Sequence, residues 1–274
     1  MTGGLGEEYE GEGYDREFPL PEFLDELIQN LAQANPRTIV VLHGGGNFDS
    51  LGWIDKVGAY LHTFYPGQNG GQALGEILFG EVNPSGRLPV TFEKRIEDNP
   101  AYATFPKTIN QPGIPTEIAY SEGIYVGYRG YEKHNIQPLY PFGYGLSYTT
   151  FDFSNIKVEP AQFDGTNPVT VTCTVTKTGD RAGAEVAQLY VGQQNPTVDR
   201  PIKELKGFKK VYLAPGQSEK VTLALDQRSF AYWNGTRQKW VAPQGTYNVL
   251  VGGSSADTPL KARVSLPSDV TSGP

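Results

Sequence analysis

The sequence predicts an α/β domain followed by an all-β domain. Helical and strand-like patterns alternate through roughly the first hundred residues, whereas short β-rich runs separated by turn residues fill the later part of the chain. A length of 274 residues fits two ordinary domains. Hydrophobic residues at 38% and charged residues at 19% are typical of a globular protein that buries a sizeable core.

The first helix and the first long strand follow from apolar spacing. Pro21 suits the first position of a helix and Asn35-Pro36 would end it. Between them, an apolar stripe at helical spacing predicts a helix of about 14 residues: Leu24, Leu27, Ile28, Leu31 and Ala32. Residues 38–42 form a continuous apolar run, typical of a parallel strand covered on both faces, and the flexible glycine loop 43–46 follows it.

Three further segments complete the predicted first domain, residues 1–105. Residues 53–64 and 68–79 carry helical patterns, and residues 88–92 read as a strand after a turn. Only about two strands are therefore expected before residue 100, too few to bury two layers of helices. We expect a partial α/β sandwich whose missing strands belong to a longer protein or to another polypeptide.

The later part of the chain predicts a connector, a β-sandwich and a tail. Residues 106–150 are rich in Pro, Gly, Asn and Tyr with little periodicity, as in an extended connector. Residues 151–267 are expected to form a sandwich of the immunoglobulin or fibronectin type III kind, and residues 268–274 a disordered tail. The sandwich prediction depends on four β-rich runs: 169–176, 185–191, 220–225 and 247–251.

Composition and charge argue against several classes of function. The net charge is −7 and no Lys- or Arg-rich run offers a surface for phosphate backbones, so no nucleic acid partner is expected. No apolar run approaches the ~20 residues of a membrane span, so no membrane partner is expected either. Cys173 is a lone cysteine and is expected in a core strand. His43, His62 and His134 share no metal-ligand spacing, so neither a metal nor a cofactor is predicted.

The densest acidic cluster lies at residues 7–15. Such a Gly-rich acidic stretch is either a solvated tail or a loop that presents a carboxylate to a substrate. Glycines on both sides of Glu12 allow unusual backbone angles, and Asp15 with Arg16 offers a local ion pair to anchor the loop. The spacing alone leaves both interpretations open. The first ten residues carry neither a basic nor an apolar segment of a secretory signal, which leaves the compartment open.

A series of motifs runs through the whole chain in a fixed order. They include Glu10-Gly11-Glu12-Gly13-Tyr14-Asp15-Arg16, Tyr65-Pro66-Gly67-Gln68, Asn83-Pro84-Ser85-Gly86-Arg87-Leu88-Pro89, Tyr120-Ser121-Glu122-Gly123 and Pro141-Phe142-Gly143-Tyr144-Gly145. In this order they closely resemble the second domain of glycoside hydrolase family three, the β-glucosidase family. Glu204-Leu205-Lys206-Gly207-Phe208 resembles the domain that closes many members. The resemblance implies a partial flavodoxin-like α/β/α sandwich followed by a fibronectin type III-like β-sandwich.

The resemblance also implies a retaining glycosidase mechanism. Members use an Asp on a preceding (β/α)8 barrel as nucleophile and a Glu on the second domain as acid and then as base. Their Glu-Gly-Tyr-Asp-Arg pattern places that Glu at Glu12 of this chain. A retaining pair needs two carboxyls ~5–5.5 Å apart and an acid with a raised pKa. Glu10 is the alternative, because in an extended loop both side chains would lie on the same side.

The chain departs from the family in one respect. The barrel's Ser-Asp-Trp type motif is missing, since the three tryptophans follow Gly52, Tyr232 and Lys239. The chain is therefore expected to be the C-terminal portion of an exo-acting β-glucosidase that removes terminal β-D-glucosyl or related residues from β-glucosides or oligosaccharides. Alone it is expected to be inactive, and to require the barrel in cis or in trans. Family members are periplasmic, secreted or cytoplasmic, so no compartment is predicted.

Two alternatives stay open at this point: a non-catalytic pair of domains that binds carbohydrate or stabilises a partner, and one subunit of a split glycosidase. Among other candidate residues, Glu122 is a second carboxylate, for which an ion pair with Arg129 or Lys133 is the favoured interpretation. The loop at 43–46 is expected to border a sugar site, because open α/β sheets bind ligands at the carboxyl ends of their strands. Three aromatic residues could stack on sugar faces, but packing in a core or on the surface is the favoured interpretation for each: Tyr14, Trp53 and Tyr65.

Overall fold

The computed structural model describes residues 17–105 and 119–274 in full and the backbone of residues 2–4. The chain forms two compact units. The first, which we call the α/β unit, comprises Met1–Leu78 and Phe92–Gly123. The second, which we call the sandwich unit, comprises Phe79–Thr91 and Ile124–Pro274. The predicted fold class, α/β followed by all-β, is confirmed.

The α/β unit is built on a parallel sheet with the strand order β1-β2-β3 in its described part. The strands are β1 (Thr2–Gly4), β2 (Ile39–His43) and β3 (Ala59–His62), and the helices are α1 (Glu22–Ala34) and α2 (Gly70–Leu78). The helices predicted at the start of the chain and at 68–79 and the strand predicted at 38–42 are confirmed. Three successive residues of β2 are buried, as expected of a strand covered on both faces: Val40, Val41 and Leu42.

Helix α1 begins one residue later than Pro21 suggested and buries a narrower face than its sequence pattern predicted. Pro21 is the N-cap residue, and its carbonyl accepts hydrogen bonds from the backbone N–H groups of Leu24 and Asp25. Only Ile28 and Ala32 of the apolar stripe are buried. Ile28 packs in a core with Leu20, Val40, Leu42, Phe48 and Trp53.

Two predictions for the first domain are wrong. Residues 53–64 do not form a helix: a short 3-10 turn, Ile54–Lys56, leads into β3. Gly58 interrupts the helical pattern and its N–H donates to the Thr38 carbonyl, so pairing with β2 replaces local helix formation. Residues 88–92 form no strand, because Leu88 exchanges backbone hydrogen bonds with the loop at Gly143 and Tyr144.

The sandwich unit has a four-stranded sheet, β12-β11-β6-β7, and a three-stranded sheet, β4-β5-β8. All neighbouring strands in these sheets are antiparallel, as in a fibronectin type III-like sandwich. The strands are β4 (Phe151–Glu159), β5 (Val169–Lys177), β6 (Gly183–Gln193), β7 (Glu204–Leu213), β8 (Ser218–Leu225), β9 (Tyr232–Asn234), β10 (Lys239–Ala242), β11 (Gly245–Gly252), β12 (Leu260–Leu266) and β13 (Val270–Ser272). All four predicted runs are strands.

Alternation along the strands builds the sandwich core. Every second residue of β5 from Val169 to Val175 is buried, including Cys173, which confirms the predicted core position of the lone cysteine. Residues 268–274 were expected to be a disordered tail, but β13 lies among them and pairs antiparallel with β10. Backbone pairing with β10 therefore orders a segment whose own sequence carries only a weak strand pattern.

Residues 79–91 group with the sandwich unit rather than with the α/β unit that precedes them. Arg87 makes a bidentate ion pair with Glu185 of β6, with both Nη2–carboxylate distances at 2.7 Å. Asn83 donates to the Ala182 carbonyl at 3.0 Å and accepts from the Ser147 hydroxyl at 2.9 Å. Side-chain hydrogen bonds thus hold this segment against the sandwich.

The predicted connector is only partly extended. A short helix, α3 (Tyr128–Lys133), lies within it, and residues 106–118 lie outside the described residues. Among the described helices, none has the length and apolar character needed to cross a bilayer.

Candidate functional site

The two carboxylates that the sequence favours, Glu12 and Glu10, lie outside the described residues. Their place in the chain is set by the elements on either side: β1 ends at Gly4 and α1 begins at Glu22. The segment that carries both glutamates therefore follows the carboxyl end of β1.

The carboxyl ends of the three parallel strands lie at one edge of the sheet. Gly4 of β1 is in register with His43 of β2, and Leu42 of β2 is in register with His62 of β3. We call this edge, with the loops 44–46 and 63–65 that leave it, the carboxyl edge. Ligands of open α/β sheets bind at such an edge, because the loops that follow parallel strands converge there.

Thr63 joins the ends of β2 and β3. Its N–H and its hydroxyl both donate to the Leu42 carbonyl, at 3.0 and 3.1 Å. The Thr63 hydroxyl oxygen also lies 2.5 Å from Nδ1 of His43, in a short hydrogen bond that joins the two strand ends.

His62 is oriented by hydrogen bonds at both ring nitrogens. Nε2 lies 3.1 Å from the Gly44 carbonyl, which only accepts, so Nε2 carries the proton. Nδ1 lies 3.0 Å from the Tyr60 hydroxyl, which donates to it when the ring is neutral. The ring packs edge-on against Phe64 and Phe92, with centroid distances of 4.4 and 5.1 Å. His62 therefore holds the glycine loop through the Gly44 carbonyl rather than offering a metal ligand. Among the described residues, no group of His, Cys, Asp and Glu could bind a metal ion.

An aromatic side chain lies against the glycine loop. A Cβ built at Gly45 would lie 2.9 Å from the Tyr65 hydroxyl. Tyr65 is exposed, whereas Trp53 is 0% exposed and packs edge-on to Tyr60 at 5.5 Å. The packing role favoured for Trp53 is thus confirmed, whereas Tyr65 is an exposed aromatic ring at the carboxyl edge.

A buried contact that sequence reasoning missed holds the loop after β2. Nδ2 of Asn47 donates to the backbone carbonyl of Glu93 at 2.8 Å and lies 3.5 Å from its carboxylate. Both side chains are buried. The two residues are 46 positions apart, so no local pattern could have revealed the pairing.

The expected ion pair of Glu122 is wrong. Arg129 lies 3.5 Å from the carboxylate of Glu204, and Lys133 lies 2.6 Å from that of Asp199. The two cations that the sequence offered to Glu122 are thus held by acidic residues far along the chain.

Comparison with known families identifies both parts of the chain. Residues 2–128 match the glycosyl hydrolase family 3 C-terminal domain. Residues 185–255 match a fibronectin type III-like domain.

Individual relatives agree with these matches. The thermostable beta-glucosidase B of Acetivibrio thermocellus is 43% identical over 268 residues, covering 97% of this chain and 35% of the relative. A GH3 beta-glucosidase structure from Bifidobacterium adolescentis matches with 40% identity and a TM-score of 0.89, over 97% of this chain and 38% of that one. The beta-glucosidase from Kluyveromyces marxianus in complex with glucose matches with 36% identity and a TM-score of 0.90, over 100% and 32%. The chain thus spans about a third of the length of these relatives.

Proposed function

This chain belongs to glycosyl hydrolase family 3, and we propose that it forms part of a retaining, exo-acting β-glucosidase. It matches the family's C-terminal domain and a fibronectin type III-like domain. Its relatives carry the name beta-glucosidase. Because the chain spans about a third of their length, the proposed activity requires the remaining portion, a barrel in cis or in trans. The proposed substrate is a β-glucoside or a short oligosaccharide with a terminal β-D-glucosyl residue.

We propose Glu12 as the general acid/base. The single observation that carries this assignment is the position of β1: it ends beside His43 at the carboxyl edge, and the Glu-Gly-Tyr-Asp-Arg type motif follows it in the chain. Strand ends of this kind are the ligand-binding edge of open α/β sheets. The exposed ring of Tyr65 and the glycine loop at 44–46 border the same edge and are proposed to contact the sugar.

The proposed reaction has two steps. In the first, an Asp of the barrel attacks the anomeric carbon while the protonated Glu12 gives its proton to the departing glycosidic oxygen. In the second, the Glu12 carboxylate takes a proton from water, and that water attacks the anomeric carbon and releases the Asp. The sequence contains no barrel nucleophile motif, so the chain supplies one of the two carboxyls.

A chimera tests this assignment. It joins this chain, in place of the matched region, to the rest of the Acetivibrio thermocellus relative. With cellobiose as substrate, we expect Glu12→Gln to lower kcat/KM by about 10²–10⁴-fold, the usual contribution of a general acid/base. Glu10→Gln, the matched control two residues away, should stay close to the unsubstituted chimera.

A substrate with a good leaving group separates the two steps. With 2,4-dinitrophenyl β-glucoside, the Glu12→Gln chimera should release a burst of dinitrophenolate and then turn over slowly, because departure needs no proton but attack of water needs the base. A large loss in Glu10→Gln with none in Glu12→Gln would exchange the two roles. Strong hydrolysis by the isolated chain that survives Glu12→Gln would contradict the proposed function.

A further inference from the structure

A cavity of about 460 Å³ lies at the surface of the sandwich unit. Its volume falls within the range of ~300–1,000 Å³ that is typical of sites for small molecules. Its lining comes from residues 80–85, from residues 181–184 at the start of β6 and from Tyr212 near the end of β7. All of these residues belong to the sandwich unit. We call this space the β6–β7 cavity.

An exposed aromatic ring and a small residue stand side by side in the β6–β7 cavity. Tyr212 of β7 is 69% exposed and lies directly opposite Ala184 of β6 in the antiparallel register. Residues in such a pair present their side chains on the same face of the sheet. Because alanine carries only a methyl group, it leaves space beside the Tyr212 ring for a ligand.

Two opposite charges border the same space. Arg181 and Glu81 both line the cavity, and neither takes part in a salt bridge in the described part of the chain. The guanidinium of Arg181 lies close to the lining backbone, since a Cβ built at Gly80 would be 3.0 Å from its Nη1. Its central carbon is 5.9 Å from the centre of the Tyr148 ring, a cation–π distance that helps to hold it there.

Hydrogen bonds fix the lining before any ligand arrives. The Asn83 side-chain amide donates to the Ala182 carbonyl at 3.0 Å. Its oxygen accepts from the Ser147 hydroxyl and from the Tyr148 N–H, both at 2.9 Å. Asn83 and Ala182 both line the cavity, so the first bond ties the segment 80–85 to the residues before β6. A site that is already formed loses less conformational entropy when it binds a ligand.

The lining favours a neutral ligand with many hydroxyl groups. The Glu81 carboxylate disfavours an anion and the Arg181 guanidinium disfavours a cation, because like charges repel. A guanidinium only donates hydrogen bonds and a carboxylate only accepts them, so together they match neighbouring hydroxyl groups, which do both. The negative face of the Tyr212 ring attracts the C–H groups on the apolar face of a sugar.

We propose that the β6–β7 cavity binds one β-glucosyl unit of an oligosaccharide. The sugar ring stacks on Tyr212, while Arg181 donates to its hydroxyl groups and Glu81 accepts from them. The site holds the saccharide without breaking a bond in it. The choice of a β-glucosyl unit rests on the proposed function, which gives the protein a β-glucoside as substrate.

Calorimetric titration of the isolated chain with cellotetraose tests the proposal. We expect saturable binding with a dissociation constant of about 1 mM or tighter. Tyr212→Ala should weaken binding by about tenfold or more because the stacking surface is lost, whereas Tyr212→Phe should change it by about threefold or less. Phe208→Ala is the matched control and should leave binding unchanged, since Phe208 is 67% exposed on the same strand but does not line the cavity.

A variant that fills the β6–β7 cavity guards against a loss of binding that reflects misfolding. Ala184→Leu adds bulk beside Tyr212 and removes none of the groups proposed to hold the sugar. It should weaken binding by about tenfold or more while the chain keeps a cooperative thermal transition. Unchanged binding in Ala184→Leu or in Tyr212→Ala would overturn the proposal, as would the absence of saturable heat in the unsubstituted chain.

The outcomes separate this inference from the proposed function. Calorimetry detects binding in the isolated chain without turnover, whereas hydrolysis by the chimera tests the proposed function, so either can fail alone. Loss of binding in Tyr65→Ala with none in Tyr212→Ala would place the sugar at the carboxyl edge and overturn the β6–β7 site. Sorbitol, a linear polyol without a ring to stack, should not bind, and binding as tight as that of cellotetraose would also overturn the proposal.

Discussion

Burial changes the chemistry of Cys173. Its side chain is 2% exposed in the sandwich core, between Val171 and Val175 on β5. Desolvation disfavours the thiolate and raises the pKa of the Cys173 thiol from 9.0 to about 11. The residue is therefore a small core hydrophobe at neutral pH, as the sequence pattern predicted, and a poor nucleophile.

This pKa predicts an alkaline loss of stability. In the unfolded chain the thiol loses its proton near pH 9, whereas in the folded chain it keeps the proton up to about pH 11. The contribution of the Cys173 thiol to the free energy of unfolding is therefore complete below pH 9 and is lost as pH rises through 11. It amounts to roughly 2–3 kcal/mol. Urea unfolding at a series of pH values should show a smaller loss between pH 9 and 11 in Cys173→Ala than in the unsubstituted chain. Parallel profiles for the two proteins would refute the expectation.

Residue types reveal a candidate carboxylate but not the side-chain contacts that order the carboxyl edge. Glu12 stands out in the sequence because a glycine lies on each side of it, and Glu10 because it lies two residues away in the same acidic stretch; the roles assigned to them remain proposals. The partners at the carboxyl edge are different: Thr63 meets His43 across 20 residues, and Asn47 meets Glu93 across 46. Pairings at such separations depend on how the strands associate, which no local spacing records.

At the scale of elements, the segment 79–91 depends on close backbone approach. A Cβ at Gly145 would lie 2.3 Å from the carbonyl oxygen of Gly86, a distance that real Cβ atoms do not adopt. Gly86, in contrast, has open space where its own Cβ would be. The loop at 143–145 thus accepts the segment because residue 145 lacks a side chain.

This pair of glycines supplies a matched test. Gly145→Ala should lower the free energy of unfolding of the sandwich unit by about 1–3 kcal/mol, since the backbone must move to admit the methyl group. Gly86→Ala should change it by about 0.5 kcal/mol or less, or stabilise slightly by restricting the unfolded chain. Chemical denaturation followed by circular dichroism measures both. Similar effects from the two substitutions would mean that the contact does not hold the segment.

Elements with strong internal patterns are the ones that sequence reasoning located. α1 and α2 carry helical patterns, β2 a continuous apolar run and the four predicted sandwich runs mostly alternating patterns, and all are confirmed. β3 is short and its apolar residues also fit a helix, so only its pairing with β2 decides its conformation. Residues 88–92 have strand-like composition, yet Leu88 bonds to the loop at Gly143 and Tyr144, and Arg87 beside it is paired with Glu185.

At the scale of the molecule, the two units differ greatly in the size of their cores. Twenty buried residues form the sandwich core in the described part of the chain, whereas six form the core of the α/β unit. Since buried apolar area is the main source of stability, the α/β unit is expected to be the weaker of the two.

We therefore expect the chain to unfold in two steps, the α/β unit first. Trp53 reports on that unit, because Trp233 and Trp240 belong to the sandwich unit and can be replaced by Phe. In such a variant, Trp53 fluorescence should change at a lower urea concentration than the far-ultraviolet circular dichroism of the strands. One coincident transition for both probes in the isolated chain would contradict this picture.

The sequence by itself determined the family, the order of an α/β unit and a β-sandwich, and the strands and helices whose apolar periodicity is complete. These properties depend only on local residue spacing and on the order of motifs along the chain. Tertiary structure alone decided that β3 is a strand, that residues 79–91 join the sandwich, and that β13 pairs with β10. Each of these depends on contacts between residues far apart in the chain. Such contacts form only where packing and backbone pairing outweigh local preference.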